Sequence, residues 1–418
     1  MDQLTEAARS YSGYRSRHGH VTQRRQTWDA WLSMPAEARV EQQRDFRTEK
    51  LEQMGPFRGI TTGGEVEPGL FSIVRSGVST KRLAEAASDF VACLGDGDRT
   101  AACLPIDAPD WRLWTNSMEL RLRHGVFLES LTELQRGAAL ELLRASLSDD
   151  GFERVSTVMR LNRVLGEITG DTTILNEWRY YLSIFGRPGP DQPWGWQLDG
   201  HHLNVNCFVL RDQLVLTPCF MGAEPRISDR QPYPQARAFD REQQGGLELV
   251  HALTASQREQ AVLFPSTLSD ALPPERKHPT EGRMRAGAFR DNEVLPYEGI
   301  RADRLTQGQR GTLLDLIGVY VSILPDGHDE MRKRDIMAHL DATHFAWIGV
   351  ADGQGPFFYK VQSPVLLIEF DHHRGVFLDN DEPEQFHAHS VVRTPNGNDY
   401  GRDLLRQHYQ QHPHASIA

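Results

Sequence analysis

The sequence predicts an α+β fold, with helices in the first half of the chain and mostly antiparallel strands in the second. In residues 70–170 apolar side chains recur every three or four positions, as at Leu140, Leu143 and Leu147, which is typical of one buried helix face. After Glu177, short runs rich in β-branched and aromatic residues alternate with Gly, Pro and Asn, which is typical of strands joined by turns. We therefore expect a helical N-terminal half packed on a β-rich C-terminal half.

Changes in composition divide the chain into four segments. Residues 1–58 form an arm rich in Arg, Gln and Glu, in which we expect helices that wrap a larger body. Residues 59–176 begin with a Gly-rich linker and continue as the helical region. Residues 177–406 form the β-rich region that carries the site, with inserted helices, and residues 407–418 form a tail.

The β-rich region contains two blocks of predicted strands. The first block has a strand at Trp178–Phe185, then a Pro/Gly loop, then a hairpin with arms at Leu203–Leu210 and Gln213–Thr217. In the second block, five short apolar runs separated by turn residues predict strands at Phe345–Ile348, Phe357–Val361, Val365–Phe370, Val376–Leu378 and Phe386–Val392.

The string Leu-Thr-x-x-Gln-Arg occurs three times, at Leu131–Arg136, Leu253–Arg258 and Leu305–Arg310. Each copy leads into an apolar run, and a threonine hydroxyl can accept a hydrogen bond from an unpaired N–H of a helix's first turn. We interpret the copies as three similar helix starts, with an internal duplication as the alternative. Between the two strand blocks we expect helices near residues 244–263 and 305–323.

Charge and motif content exclude several classes of protein. The formal net charge of -11 argues against nucleic acid as a partner. The apolar run Leu313–Leu324 is shorter than the ~20 residues that span a bilayer, and the first thirty residues lack the apolar core of a signal peptide. We therefore expect a cytoplasmic protein with no membrane partner and reduced thiols at Cys93, Cys103, Cys207 and Cys219. The sequence also lacks the motifs of serine hydrolases, P-loop proteins, Rossmann dehydrogenases and HExxH metalloproteases.

The first cluster of candidate site residues lies in Trp194–Asn206. On a strand, side chains alternate between faces, so His202, Asn204 and Asn206 would share one face and His201 would lie on the other. Buried amides need hydrogen-bond partners, so such a face suits the lining of a polar cavity better than a core. We expect His202 to be a metal ligand and His201, Asn204 and Asn206 to contact a substrate.

The second cluster is the acidic end of the run Leu367–His373. Alternation places Glu369 and Asp371 on one face, where two carboxylates repel unless a cation, a proton or an arginine lies between them. The alternative is that Asp371 begins a turn and only Glu369 points inward. For His372 and His373, next to a probable hairpin tip, the turn interpretation is the stronger one.

The third cluster is the pair His387 and His389. A His-x-His pair on a strand directs both imidazoles to the same side, which is a common way to offer two nitrogen ligands to one metal ion. The alternative is a hydrogen-bonded histidine pair that binds an organic acid. Arg393 extends the same face and would clamp a substrate carboxylate, unless Asp399 is its structural ion-pair partner.

Five strings of these residues together resemble the family known as domain of unknown function 3500, over about Leu70 to Arg406. They are WGWQLDGHHLNVN at Trp194–Asn206, FMGAEP at Phe220–Pro225, FAWIG at Phe345–Gly349, PVLLIEFD at Pro364–Asp371 and HAHSVVRTPNGNDYG at His387–Gly401. The resemblance implies that these elements belong to one common design. It adds Glu224, which follows a strand across the hairpin from His202, to the candidate site.

These residues favour a metal-dependent enzyme, hydrolytic rather than oxidative, that acts on a small anionic or amide-containing metabolite. His202, His387 and His389 would bind a divalent ion, zinc or iron, with Glu369 or Glu224 completing the shell and the spare carboxylate serving as general base. Arg393, with Asn398 and Tyr400 from the following turn, would hold the substrate. Two alternatives stay open: a non-haem iron oxidoreductase with two histidines and one carboxylate, and a non-catalytic binding protein.

Overall fold

A computed structural model of the chain describes residues 14–278 and 280–412. In this part of the chain the α-helices are α1 His18–Ser33, α2 Ala36–Met54, α3 Lys81–Cys93, α4 Asp96–Ala102, α5 Glu133–Ser146, α6 Asp149–Thr169, α7 Asp240–Ala252, α8 Ala255–Ala261, α9 Gln307–Val321, α10 His328–Ala338 and α11 Arg402–Gln411. None of these helices is long and apolar enough to cross a bilayer.

The strands form a single mixed sheet. They are β1 Cys103–Leu104, β2 Val126–Phe127, β3 Tyr180–Gly186, β4 Trp194–Gly200, β5 Leu203–Leu210, β6 Gln213–Val215, β7 Cys219–Ala223, β8 Val262–Phe264, β9 Ile300–Arg301, β10 His344–Ile348, β11 Phe358–Gln362, β12 Leu367–His372 and β13 Ala388–Arg393. Their order is β1-β3-β4-β5-β7-β13-β12-β11-β10-β8, with β2 beside β3, β6 beside β5 and β9 beside β10. All pairs are antiparallel except β1–β3 and β8–β10. The predicted α+β class is confirmed.

One face of the sheet is apolar and packs on helices. Residues directly opposite each other on paired strands share a face, so Val205, Met221 and Tyr359 lie on the same side. They belong to one large core with apolar residues of α6, α7 and α9. This core is where most of the chain's burial of apolar surface occurs, and it holds the central strands in place.

The opposite face of the sheet carries the polar residues. Asp371 is opposite His389, which is opposite Gly222, and Glu369 is opposite Val391. This face is buried under segments around Trp111–Trp114 and Met284–Leu295, which contribute a second, smaller apolar cluster. Because buried charges need partners, ionic side chains of these covering segments pair with those of the sheet.

All three Leu-Thr-x-x-Gln-Arg strings start helices, as predicted. In each copy the threonine hydroxyl accepts a hydrogen bond of 3.3 Å from the N–H of the glutamine three residues later, at the start of α5, α8 and α9. The helix expected over 244–263 is instead two helices, because Thr254, two residues after the end of α7, is the N-cap of α8.

The prediction of a strand at Val376–Leu378 is wrong. This segment is a loop whose N–H groups donate to the carboxylate of Glu224 instead of to a neighbouring strand. The β5–β6 hairpin has the predicted two-residue turn. The four cysteines are free thiols, as expected, and Cys207 lies on the face opposite Asn206.

In the N-terminal arm, residues 18–54 form α1 and α2, and residues 1–13 lie outside the described part of the chain, as do residues 413–418 of the tail. Val21 of α1 packs with Leu165 and Phe377 in a small apolar cluster. Arg17, just before α1, donates to the carbonyls of Leu378 and Asn380. The arm therefore contacts the loop that follows β12. The four segment boundaries stay predictions.

Candidate functional site

Three histidine side chains converge on the polar face of the sheet. His389 lies on β13, His387 immediately precedes that strand, and His202 lies in the turn between β4 and β5. The Nε2 atom of His387 lies 2.9 Å from Nε2 of His389 and 3.3 Å from Nε2 of His202. All three side chains are buried, and their ligand atoms lie within 4.8 Å of one another. The structure thus brings together the three histidines that the sequence singled out as metal ligands.

The position of His202 depends on a backbone turn and not on strand alternation. Its φ of 61° is in the left-handed region, which is uncommon for residues other than glycine. Its N–H donates to the carbonyl of Asn116 at 3.0 Å, and its own carbonyl accepts from the N–H of Gly222 at 2.7 Å. These two bonds hold the turn against β7, and the imidazole reaches the pair on β13.

Gly222 makes the close approach of the imidazoles feasible. A Cβ atom at this position would lie 2.6 Å from Cδ2 of His389 and 3.1 Å from Cδ2 of His202. Ordinary contacts begin at about 3.4 Å, so a larger residue would push both rings away from their present positions. The absence of a side chain at Gly222 is therefore a requirement of the site.

The hydrogen-bond pattern determines which nitrogen of His387 is available. Its Nδ1 lies 2.7 Å from the carbonyl oxygen of Arg374, and a carbonyl can only accept, so Nδ1 carries the proton. Burial, with the nearby histidines, lowers the pKa of His202, His387 and His389 well below the ordinary value. The neutral ring of His387 therefore directs its Nε2 lone pair toward the other two histidines.

Two of the separations among the three nitrogens are close to those of a tetrahedral metal site. Zinc–nitrogen bonds are about 2.0–2.1 Å, so two nitrogen ligands at the tetrahedral angle lie about 3.3 Å apart. The separations of Nε2 of His387 from Nε2 of His389 and His202 are 2.9 and 3.3 Å. The arrangement can hold one divalent ion with an open fourth position.

A histidine–aspartate pair lies beside the cluster, although the sequence favoured a turn for His373. The ring of His373 is 4.0 Å from that of His389, and its Nε2 is 3.0 Å from Oδ2 of Asp371. Burial alone would raise the pKa of Asp371, but the Arg283 guanidinium, with Nε at 2.5 Å from Oδ1, and His373 outweigh it and lower that pKa to about 2. Asp371 is therefore ionised. Strand alternation predicts that the Asp371 side chain points inward. Its partner Arg283 could not be predicted, because it lies in a segment without a periodic pattern.

Glu369, expected as a ligand, lies elsewhere on the polar face. Its Oε2 accepts 2.8 Å hydrogen bonds from the N–H groups of Arg285 and Ala286. In the described residues, it is not one of the groups whose ligand atoms converge with the three histidines. The reason is strand register, because Glu369 is opposite Val391, and Asp371 is the residue opposite His389.

Glu224 also lies outside the convergent group. Its carboxylate accepts hydrogen bonds of 2.8 to 3.2 Å from the N–H groups of Val376, Phe377 and Leu378. Burial raises its pKa to about 7, although these backbone donors act in the opposite direction. Glu224 thus anchors the loop whose Arg374 carbonyl orients His387, which is a positioning role.

The residues expected to bind substrate on β5 are engaged with the protein. Asn206 donates from Nδ2 to Oδ1 of Asn204 at 2.7 Å, and Gln197 donates from Nε2 to Oδ1 of Asn206 at 2.6 Å. His201 lies with Nδ1 2.8 Å from Oδ1 of Asn162, and its ring stacks on His202 at 4.0 Å. The two asparagines form a buried amide chain, and His201 supports the position of His202.

Arg393 and Tyr400 belong to a buried ionic network. Arg393 is fully buried, with Nη2 2.7 Å from Oδ1 of Asp291 and Nε 3.1 Å from Oδ2 of Asp399. Tyr400 donates to Oδ1 of Asp291 at 3.1 Å and accepts from the indole N–H of Trp114 at 2.9 Å. Asp399 is thus the ion-pair partner that the structural alternative predicted for Arg393, and Asp291 is a second partner. Asp291 is another residue of the unpatterned covering segment, and no sequence signal pointed to it.

Asn398 is also placed away from the histidines. Its Oδ1 accepts from the N–H of Leu404 at 3.4 Å, and the residue lines a cavity on the apolar side of the sheet.

Fold and site together define an α+β protein with a buried three-histidine cluster suited to one metal ion. The chain belongs to the family described as Protein of unknown function (DUF3500), whose model matches residues 76–402. The family expected from the five strings is therefore confirmed. No curated protein and no solved structure matches the chain.

Proposed function

We propose that this protein is a metal-dependent hydrolase in which His202, His387 and His389 bind one zinc ion. The observation that carries the proposal is the convergence of three buried, neutral imidazoles with Nε2 separations of 2.9 and 3.3 Å. A zinc ion held by these three histidines would supply the activation of a water molecule, whose pKa zinc lowers.

The donor set favours zinc over non-haem iron. The iron alternative requires two histidines and one carboxylate on the metal. The carboxylate opposite His389 is Asp371, and it is held by Arg283, with hydrogen bonds of 2.5 and 3.1 Å from the guanidinium and 3.1 Å from the backbone N–H. An all-nitrogen shell therefore fits the side chains better than a mixed one.

The neighbouring His373 and Asp371 supply the groups that hydrolysis needs besides the metal. A ring nitrogen of His373 lies 3.0 Å from Asp371, so a carboxylate and an imidazole stand together beside the three histidines. His373 would accept a proton from the attacking water and return it to the leaving group. The proposed substrate is a small molecule with a polarised carbonyl, because all four histidine side chains are buried.

Metal analysis of the full-length protein tests the proposal. We expect about one zinc per chain in the wild type and in the control variant His251→Ala, whose histidine is exposed, with its Nε2 2.9 Å from the carbonyl oxygen of Ala351. His387→Ala and His389→Ala should lose the metal while circular dichroism shows a folded chain. Iron at the site would support the oxidative alternative, and wild-type protein that binds no divalent ion would overturn the proposal.

A screen of small esters and amides with the zinc-loaded protein then tests the hydrolytic step. Turnover that requires His373 supports the enzyme. A zinc-loaded protein that binds but never cleaves such compounds would favour the non-catalytic alternative.

A further inference from the structure

A cavity of about 260 Å³ lies on the apolar side of the sheet, opposite the histidine cluster. It is bounded by β6, β7 and β13, by the segment at 70–74, and by α9 and α10. Ser390 and Val392 of β13 line it, and these residues alternate with His389, which faces the other side. The cavity is therefore separate from the histidine site, although one strand contributes to both.

The wall of this cavity contains an arginine without an acidic partner. Arg332 of α10 donates from Nη2 to the carbonyl of Val365 at 2.6 Å and lies 3.4 Å from Oγ1 of Thr394. A guanidinium has five N–H donors, and both of these bonds use one nitrogen. Within residues 14–278 and 280–412, no carboxylate lies within the 4.0 Å of an ion pair with Arg332.

Asp335, on the same helix, also lines the cavity, but it is exposed and lies beyond ion-pair distance of Arg332. Arg154, the second arginine of the wall, is itself paired with Glu242. Desolvation lowers the pKa of the Arg332 guanidinium, and the charges of Asp335 and Asp399 act in the opposite direction. Arg332 is half-buried, and taking a cation out of water is costly unless an anion accompanies it. Among the described residues, a half-buried guanidinium in the cavity wall with no carboxylate at ion-pair distance is the observation that points to a ligand.

The remaining wall determines what kind of anion fits. Most of the lining is apolar, including Phe71, Met221, Leu324 and Leu404. At about 30 Å³ per water molecule the volume corresponds to roughly nine waters, which suits a short-chain or single-ring compound. In the described part of the chain, the wall has one guanidinium without a carboxylate at ion-pair distance, which can balance one negative charge, so a doubly charged phosphate fits less well.

We propose that this cavity is a second ligand site, which binds a small organic carboxylate through Arg332 with its apolar body against the sheet. The planar guanidinium matches a carboxylate with two parallel hydrogen bonds. This site does not depend on a metal, so its test is independent of the hydrolase proposal.

Isothermal titration calorimetry of the full-length protein with hexanoate tests the site. We expect saturable binding of hexanoate, at least about tenfold weaker binding of hexanol, and no binding of inorganic phosphate at the same concentrations. Arg332→Gln should weaken hexanoate binding at least about tenfold, because it removes a charge-assisted hydrogen bond. Arg334→Gln, an exposed arginine on the same helix, is the matched control and should bind like the wild type.

A steric variant locates the ligand. Ser390→Leu extends a side chain into the cavity and should abolish binding of both hexanoate and hexanol, while thermal unfolding reports that the chain remains folded. Hexanoate binding that is unchanged in Arg332→Gln would place the compound elsewhere, for example on a metal at the histidines, and would overturn the proposal. Equal affinity for hexanol, preferential binding of phosphate, or no binding of hexanoate would overturn it as well.

Discussion

Replacing Gly222 with alanine is the sharpest perturbation of the proposed metal site, because it changes no ligand. The added Cβ would lie 2.6 Å from Cδ2 of His389, where ordinary contacts begin at about 3.4 Å, so that ring must move by roughly 0.8 Å. Metal sites tolerate ligand displacements of about 0.2 Å. The backbone at Gly222 has no positive φ, so alanine adds no conformational strain there.

We expect Gly222→Ala to weaken zinc binding about 10- to 100-fold, which is the usual effect of disturbing the groups that orient metal ligands. This corresponds to about 1.4–2.7 kcal/mol. Competition with a chromophoric chelator measures the affinity. Gly137→Ala is the control, because a Cβ at that helical position meets nothing within 4 Å. Unchanged zinc affinity in a folded Gly222→Ala protein would refute the three-histidine geometry.

Two further predictions concern buried charges near the site. Burial, with the charges of Glu369 and Asp371, raises the pKa of Glu281 to about 8 from an ordinary 4.5, so the folded state keeps a proton that the unfolded state loses, and stability should fall as pH rises between these values. In urea unfolding between these pH values, Glu281→Gln should remove roughly 3–5 kcal/mol of the fall in the free energy of unfolding. The control Glu275→Gln, at an exposed position, should leave that fall unchanged. Arg393→Lys should lower the free energy of unfolding by about 2 kcal/mol, because an ammonium cannot keep the bonds to both of its carboxylates, and should leave zinc content unchanged. A variant with wild-type stability but impaired substrate use would instead support the substrate clamp.

Strand alternation was the signal that made much of the site predictable. His387 and His389 are two residues apart, and their Nε2 atoms lie 2.9 Å apart. The same rule correctly placed Glu369 and Asp371 on one face. A local periodicity of two is sufficient for such statements because it depends only on the pleat of the strand and not on its neighbours.

The partners of these residues were not predictable, because they come from distant segments without a periodic pattern. Arg283 reaches Asp371 across 88 residues, and Asp291 reaches Arg393 across 102. Register is equally non-local, and it is what places Asp371 rather than Glu369 opposite His389. His202 was expected on a strand and lies in a left-handed turn, where hydrogen bonds to other segments decide its direction.

The alternation of β13 also explains how one short strand serves two sites. His389 faces the polar side while Ser390 faces the cavity, and on β7 the residues opposite them, Gly222 and Met221, divide in the same way. A register shift of one residue would exchange the two sets, so both sites depend on the same strand pairing. A single side-chain replacement leaves that pairing intact. Zinc affinity should therefore respond to Gly222→Ala and hexanoate affinity to Arg332→Gln, each without the other.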